Sequence, residues 1–223
     1  MSKRPVYIPS DKKDIFVESV DIEFTWFPGF AKTQKQKSIT SLHESIRETL
    51  GINEILEISS KSENRLGVLS SAFNLELSIA NISSTVESLF QGSKVFERGG
   101  PFVDIYNKSS LDAKRDPRTK SSGKLKYFIF DEKKWDLQED FYSWLYINGL
   151  LQNEEVKEKI TKFNAFTDIE FNPKKSLNCQ AKSAAIFTSV TRRKVDIDSL
   201  NDGDNFKQKI VKKSFSNEQL TFF

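Results

Sequence analysis

Glu87, Gln91 and Lys94 stand at positions i, i+4 and i+7 of the segment Val86-Glu87-Ser88-Leu89-Phe90-Gln91-Gly92-Ser93-Lys94. On an α-helix this spacing puts a carboxylate, an amide and an amine on one stripe. Val86, Leu89, Phe90 and Phe96 fall on neighbouring faces and can pack. The spacing allows two readings. One is a solvated polar face, the usual fate of a charged stripe. The other points Glu87 into a cleft floored by the same helix, where a carboxylate can stabilise positive charge or activate a water. A second segment, Lys61 to Asn74, surrounds Gly67 with polar residues and the pair Ser70-Ser71. Such a loop can present backbone N–H groups to an anion. It has neither a Gly-x-Gly-x-x-Gly nor a Walker A pattern, so it is no ordinary nucleotide fingerprint.

The rest of the composition narrows the chemistry. The chain has 223 residues, 37% of them hydrophobic and 19 of them Phe, a globular profile. Lys plus Arg number 34 and Asp plus Glu 31, giving a formal charge of +3. Charge alone therefore names no nucleic-acid partner. The single Cys179 excludes a disulfide framework and a cysteine-rich zinc site, and points to a reducing compartment. The single His43 excludes the zincin motifs and argues against a Ser-His-Asp triad; it reads as structural or solvent-facing. Met1–Pro9 lacks the apolar core of a secretory signal, and no apolar run nears the ~20 residues of a membrane helix. The expectation is a soluble cytoplasmic protein with no membrane partner, no cofactor and no metal. Any catalysis must come from carboxylates, lysines and backbone.

These residues need elements to hold them. Alternation through 15–24 predicts a strand, ended by the turn Trp26-Phe27-Pro28-Gly29-Phe30. Ile39, Leu42, Ile46 and Leu50 predict a helix over 34–50 closed by Gly51. A short strand is expected at 55–59. A helix is expected from Ser83 or Ser84 to just before Gly99-Gly100-Pro101. Residues 112–126 are basic and turn-rich, 127–130 strand-like, and 137–151, 154–163 and 180–190 helical. Helices dominate over a small β-sheet, which makes the class α+β. Residues 1–52 are expected to form an N-terminal strand-and-helix extension packed on the core, 53–200 a catalytic domain, and 201–223 a polar C-terminal segment.

Taken together, the two segments resemble the NADAR (YbiA-like) superfamily, which handles NAD- and ADP-ribose-derived N-glycosides. Its lysine before a glycine and a "Ser-Asn-Phe"-like turn looks like Lys61, Gly67 and Ser70-Ser71-Ala72-Phe73-Asn74. Its "Glu-His-Tyr-Phe-Gln-x-x-Lys-Phe" helix looks like Glu87-Ser88-Leu89-Phe90-Gln91-Gly92-Ser93-Lys94-Val95-Phe96, with Ser88 in place of the histidine. Asp112-Ala113-Lys114-Arg115 resembles the family's basic turn after that helix, and Trp135 the family tryptophan. The acidic glycine-rich loop and later Asn look like 166–172 and Asn178, with Glu170-Phe171-Asn172-Pro173 replacing "Trp-Gly-x-Gly". Either Asp168 or Glu170 takes the late acidic role. The resemblance covers roughly 55–190. The first 50 residues look like the branch that accompanies DarT-type DNA ADP-ribosyltransferase toxins as an antitoxin.

The resemblance implies an N-glycosidase that removes ADP-ribose from modified guanine in DNA, with the base single-stranded or flipped. It implies Glu87 as the carboxylate beside the anomeric carbon. Lys61 is either a neutral amine that attacks the opened ribose or a charged phosphate partner. Lys94, Lys114, Arg115 and Arg118 are candidates for the diphosphate, and Trp135 for stacking on a base. Gly67, Ser70, Phe73, Asn74, Phe90, Gln91, Asp168 or Glu170, and Asn178 are expected to line the substrate site. Lys32, Lys35, Lys37 and Arg192-Arg193-Lys194 are candidates for tracking DNA phosphates. The implied partners are ADP-ribosylated DNA, ADP-ribose and the cognate toxin. Two alternatives stay open: an antitoxin that only binds ADP-ribose or the toxin, and an N-glycosidase for a small riboflavin-pathway intermediate.

Overall fold

The computed structural model describes residues 1–173, 176 and 178–211. It opens with β1 (Ser2–Pro9), β2 (Val17–Phe24), α1 (Lys32–Leu50) and β3 (Ile55–Glu57). Then come α2 (Arg65–Leu69), β4 (Glu76–Ile79), β5 (Ile82–Thr85), α3 (Val86–Gly92) and β6 (Lys94–Phe96). The middle holds α4 (Ser110–Arg115), α5 (Arg118–Ser121), β7 (Leu125–Phe130) and β8 (Lys133–Asp136). It ends with α6 (Phe141–Gln152), α7 (Glu154–Ile160), β9 (Ala165–Thr167), α8 (Gln180–Arg192) and α9 (Gly203–Phe206). The class is α+β: helices packed around a four-stranded sheet in the order β2-β1-β9-β3, the hairpin β4-β5 and the three-stranded β6-β7-β8.

The four-stranded sheet places the chemistry. Side chains alternate across it, so Val6, Ile55 and Ala165 join α1 residues Ile39, Leu42 and Ile46 in one cluster. Tyr7, Leu56 and Phe166 turn the other way, into the larger core with residues of α6 and α8. The helix spacing read at Ile39, Leu42 and Ile46 is thus the face that covers the sheet. Gly51 closes α1 at φ 67, donating its N–H to the Arg47 carbonyl. β1 lies between β2 and β9, antiparallel to both. The first 24 residues therefore share one sheet with β3 and β9 rather than packing against it from outside. β3 and β9 run parallel. Their carboxyl ends face the same edge, so the residues after Glu57 and after Thr167 emerge together.

Several elements differ from expectation. The helix expected from Ser83 or Ser84 begins at Val86, because Ile82–Thr85 pairs with Glu76–Ile79 around Ala80 and Asn81. Both turn residues have positive φ (51 and 60), the backbone of a tight two-residue hairpin. Thr85 then caps α3. Part of the loop expected at 166–172 is strand β9. Residues 201–211 are not a polar tail, since Phe206, Ile210 and Val211 are buried in the core. Residues 212–223, the remainder of that expected segment, lie outside the described residues. Among the described residues no helix is long and apolar enough to cross a membrane.

Gly67 shows how tightly α2 meets β3. A Cβ there would sit 2.0 Å from the Glu57 carbonyl oxygen and 2.5 Å from Ser62 Oγ. The backbone cannot yield as a flexible side chain would, so Gly67→Ala is expected to destabilise the fold by about 1–3 kcal/mol. A thermal melt should show a lower midpoint, and an unchanged one would contradict the close packing.

Candidate active site

The polar stripe on α3 is not solvated. Glu87 is 6% exposed and Gln91 7%, which leaves them buried yet reachable. Gln91 Nε2 donates to Glu87 Oε1 at 2.9 Å, and Lys94 Nζ donates to Gln91 Oε1 at 2.7 Å. Carboxylate, amide and amine therefore form one chain of hydrogen bonds. Lys94 also lies 4.5 Å from the centre of the Phe90 ring. Burial pushes its pKa down to about 8, Glu87 pulls it up and Lys114 pushes it further down. Phe90 holds this floor in place, packed on Phe128, Phe141 and Tyr142.

Asp168 follows β9, and it shares two neighbours with this group: Tyr142 lies near both Glu87 and Asp168, and Lys114 near both Lys94 and Asp168. Asp168 Oδ1 accepts N–H bonds from Glu170 and Phe171, which fold the chain around it. Burial first, then Glu57, pushes its pKa up to about 8, while Gln180, the Glu170 N–H and Lys114 pull it down. Lys114 sits 4.8 Å over the Phe73 ring. Gln180, the first residue of α8, ties the parts together. Its Nε2 donates to the Ile58 carbonyl at 2.7 Å and its Oε1 accepts the Ala72 N–H at 2.9 Å. The Ala72 carbonyl in turn accepts the Glu87 N–H at 3.0 Å. Three bonds thus connect Ile58, just after β3, to Glu87 on α3.

The remaining expected site residues are more scattered. Lys61 is half-buried in the turn after β3, and its Nζ has no hydrogen-bond or ion-pair partner among the described residues. No hydrogen bond or ion pair joins it to Glu87. Gly67 serves the α2–β3 packing. Ser70 is buried, its hydroxyl on the Leu66 carbonyl and its own carbonyl on the Tyr146 hydroxyl, so it braces the core. Asn74 is exposed and donates to the Val68 carbonyl. Asn178 is half-buried, and its carbonyl accepts from Ser176 Oγ. Glu170 is exposed and pairs with Lys35 Nζ at 3.3 Å, on the rim rather than the floor.

Three expectations are corrected by geometry. Trp135 is 1% exposed, packed among Phe141, Trp144 and Phe206, with no face open to a base. Arg118 spends its guanidinium on Asp104 and Asp116, four hydrogen bonds of 2.6–3.0 Å, which leaves no fork for a diphosphate. Arg192 donates to the carbonyls of Thr161 and Phe163, and Arg193 to that of Ile15, so both staple the fold instead of tracking phosphate. Arg115 is exposed at the end of α4. Sequence reasoning missed Gln180 and Glu57. Glu57 had a signal: an acid inside the otherwise apolar run Ile55-Leu56-Glu57-Ile58. Gln180 had none.

β1 and α1 add cations to the rim. Lys35 Nζ lies 4.6 Å and the Arg4 guanidinium 5.2 Å from the Trp26 ring centre. A depression of about 500 Å³ lies elsewhere, lined by Thr25, Phe27, Gln36, Lys37, Glu44 and Glu63. Lys94 and Asp168, whose pKa values are strongly shifted, are not among its lining residues, and Lys114 acts on both.

What the fold and these residues define is an α+β protein with a buried acid, Asp168, just past the parallel pair β3–β9, and a desolvated lysine, Lys94, at the start of β6. A family model described as "DarT1-associated NADAR antitoxin" matches residues 2–220. The chain belongs to that family of antitoxins. No protein with a curated description matches it.

The Lys94 environment gives a direct check. The Glu87 charge raises the Lys94 pKa, so Glu87→Gln should lower it below about 8. NMR titration of reductively methylated lysines would show this; a Lys94 titrating near 10.5 in the parent protein would contradict the buried chain.

Proposed function

We propose that this antitoxin is a hydrolase that removes ADP-ribose from modified guanine bases in DNA. The observation that carries the reading is the buried, hydrogen-bonded Glu87–Gln91–Lys94 chain, which shares the neighbours Lys114 and Tyr142 with Asp168. Breaking a ribose–base N-glycosidic bond builds positive charge at the anomeric carbon, and the electron pair leaves with the base. A fixed carboxylate beside that carbon stabilises the charge. Glu87 takes this part. Its oxygen is held by Gln91, so it need not reorganise as the charge develops. The departing base needs a proton, and an acid whose pKa is pushed up to about 8 still holds one at neutral pH. Asp168 takes this second part; Glu170, paired with Lys35 in solvent, does not.

Lys61 adds as an amine to the anomeric carbon as the base departs. The bond from that carbon to the ring oxygen then breaks, and the ring oxygen takes the amine proton. The resulting imine is hydrolysed by water, which releases ADP-ribose and restores the lysine. The place of Lys61 in the turn that follows β3, at the shared carboxyl end of β3 and β9, supports this assignment. A second assignment has its own observation: Lys94 is the amine in the patch that desolvation brings towards neutrality. Lys114 and Arg115 meet the diphosphate, and Phe73, under Lys114, lies beside it. Phe90, Gln91 and Lys94 form the floor, with Asn74 and Asn178 at its edges. Lys35 beside Glu170, with exposed Lys32 and Lys37 on the same helix, faces the strand carrying the target base. The base reaches the patch only when flipped or single-stranded.

Incubation with guanine-ADP-ribosylated single-stranded DNA should release ADP-ribose. Glu87→Ala is expected to reduce the rate roughly 10²–10⁴-fold. Borohydride added during turnover should trap a reduced adduct on Lys61; an adduct on Lys94 would move the amine role there. Absence of release, or release undiminished in both Lys61→Ala and Glu87→Ala, would reject the reading.

A further inference from the structure

Glu57 is a buried acid without a part in the proposed reaction. It ends β3 on the α1 side of the sheet, 2% exposed. Its Oε2 accepts the Thr167 hydroxyl at 2.6 Å, and its Oε1 accepts the Ile169 N–H at 2.9 Å. Ser59 adds a further side-chain hydrogen bond. Thr167 and Ile169 are the residues on either side of Asp168. Because Thr167 donates to Glu57, its oxygen accepts from His43 Nε2 at 3.0 Å, which extends the network to α1. Burial holds the His43 pKa down to about 4, so the imidazole is neutral there.

We propose that Glu57 is a positioning residue for Asp168: it clamps the two residues flanking that carboxyl and sets a second carboxylate behind it, through the sheet. The inference rests on Asp168 being the proton donor of the proposed reaction. A carboxyl that must donate a proton has to be held in one place and kept from ionising. The clamp provides the first, and a like charge at close range provides the second. Burial raises the Glu57 pKa, and the donors on both of its oxygens, with Ser59, pull it back towards the ionised form. The groups facing Asp168 from the elements around it are Arg4 and Tyr7 on β1, Glu57 on β3, Lys114 on α4, Tyr142 and Tyr146 on α6, and Cys179 before α8. Burial raises all three phenols and the thiol, so they stay neutral. The charges that act on Asp168 are therefore Glu57 against Lys114 and Arg4.

The test compares the full chain with Glu57→Gln, by carbon NMR titration of labelled aspartates and by the pH profile of ADP-ribose release from modified single-stranded DNA. Removing the charge should lower the Asp168 titration by about one pH unit. The alkaline limb of the rate profile should move down with it, costing up to about tenfold at pH 8. Thr167→Val, which keeps the branched shape and removes one donor to Glu57, should move Asp168 the same way by less. It stands in if Glu57→Gln does not fold. An Asp168 titration that stays put in the folded variants overturns the role of Glu57. A titration that moves while the rate limb does not leaves Glu57 as the positioning residue and rejects Asp168 as the donor.

Discussion

One side chain, Gln180, decides whether the pieces of this site belong together. Its amide donates to the backbone after β3 and accepts from the backbone before α3, and it lies buried at the start of α8. A buried amide with both ends engaged is costly to disturb, because either end left unpaired carries a desolvation penalty of about 1–3 kcal/mol. The Lys61 loop, the Glu87 helix and the Asp168 turn come from three distant stretches of chain. Their relation is set by this bridge and by the parallel pairing of β3 with β9.

Within that frame, the electrostatics are arranged by burial more than by pairing. Lys94 and Asp168 are each pushed towards neutrality by desolvation, one by losing affinity for its proton and the other by gaining it. With both values brought to about 8, the acid keeps its proton near pH 7, as an exposed carboxyl would not, and the amine loses its proton far more readily than an exposed lysine. The salt bridges of the surface contrast with this. Lys3–Glu23 and Lys134–Asp136 are solvent-facing pairs worth little to either fold or function.

How much of this was legible in the sequence depends on range. Local periodicity found α1 and its buried face and put Glu87 and Gln91 on one stripe of α3. The helix ends at Gly92, however, and Lys94 joins the hydrogen-bonded chain from β6, not from the expected longer helix. Motif order brought the family into view through Lys61, Gly67 and the α3 segment. Long-range pairing was invisible. Nothing in Ser2–Pro9 announces a strand that inserts between β2 and β9, so the N-terminal residues read as an extension. Trp135 and Arg118 were misplaced for a similar reason. A tryptophan or arginine at a motif-like position can be absorbed by the core or by nearby acids, here Asp104 and Asp116, and only coordinates reveal the partner. The hairpin before α3 was hidden because serine and threonine suit a cap and a strand equally.

The reacting sugar is proposed to lie between α3 and the end of β9, and a crystal structure of the protein bound to ADP-ribose measures that directly. The expected result has the terminal ribose beside the Glu87 carboxylate, with Asp168 across from it and the diphosphate near Lys114. ADP-ribose seated instead in the depression between α1 and Glu63, with the Glu87 side chain untouched, would contradict it.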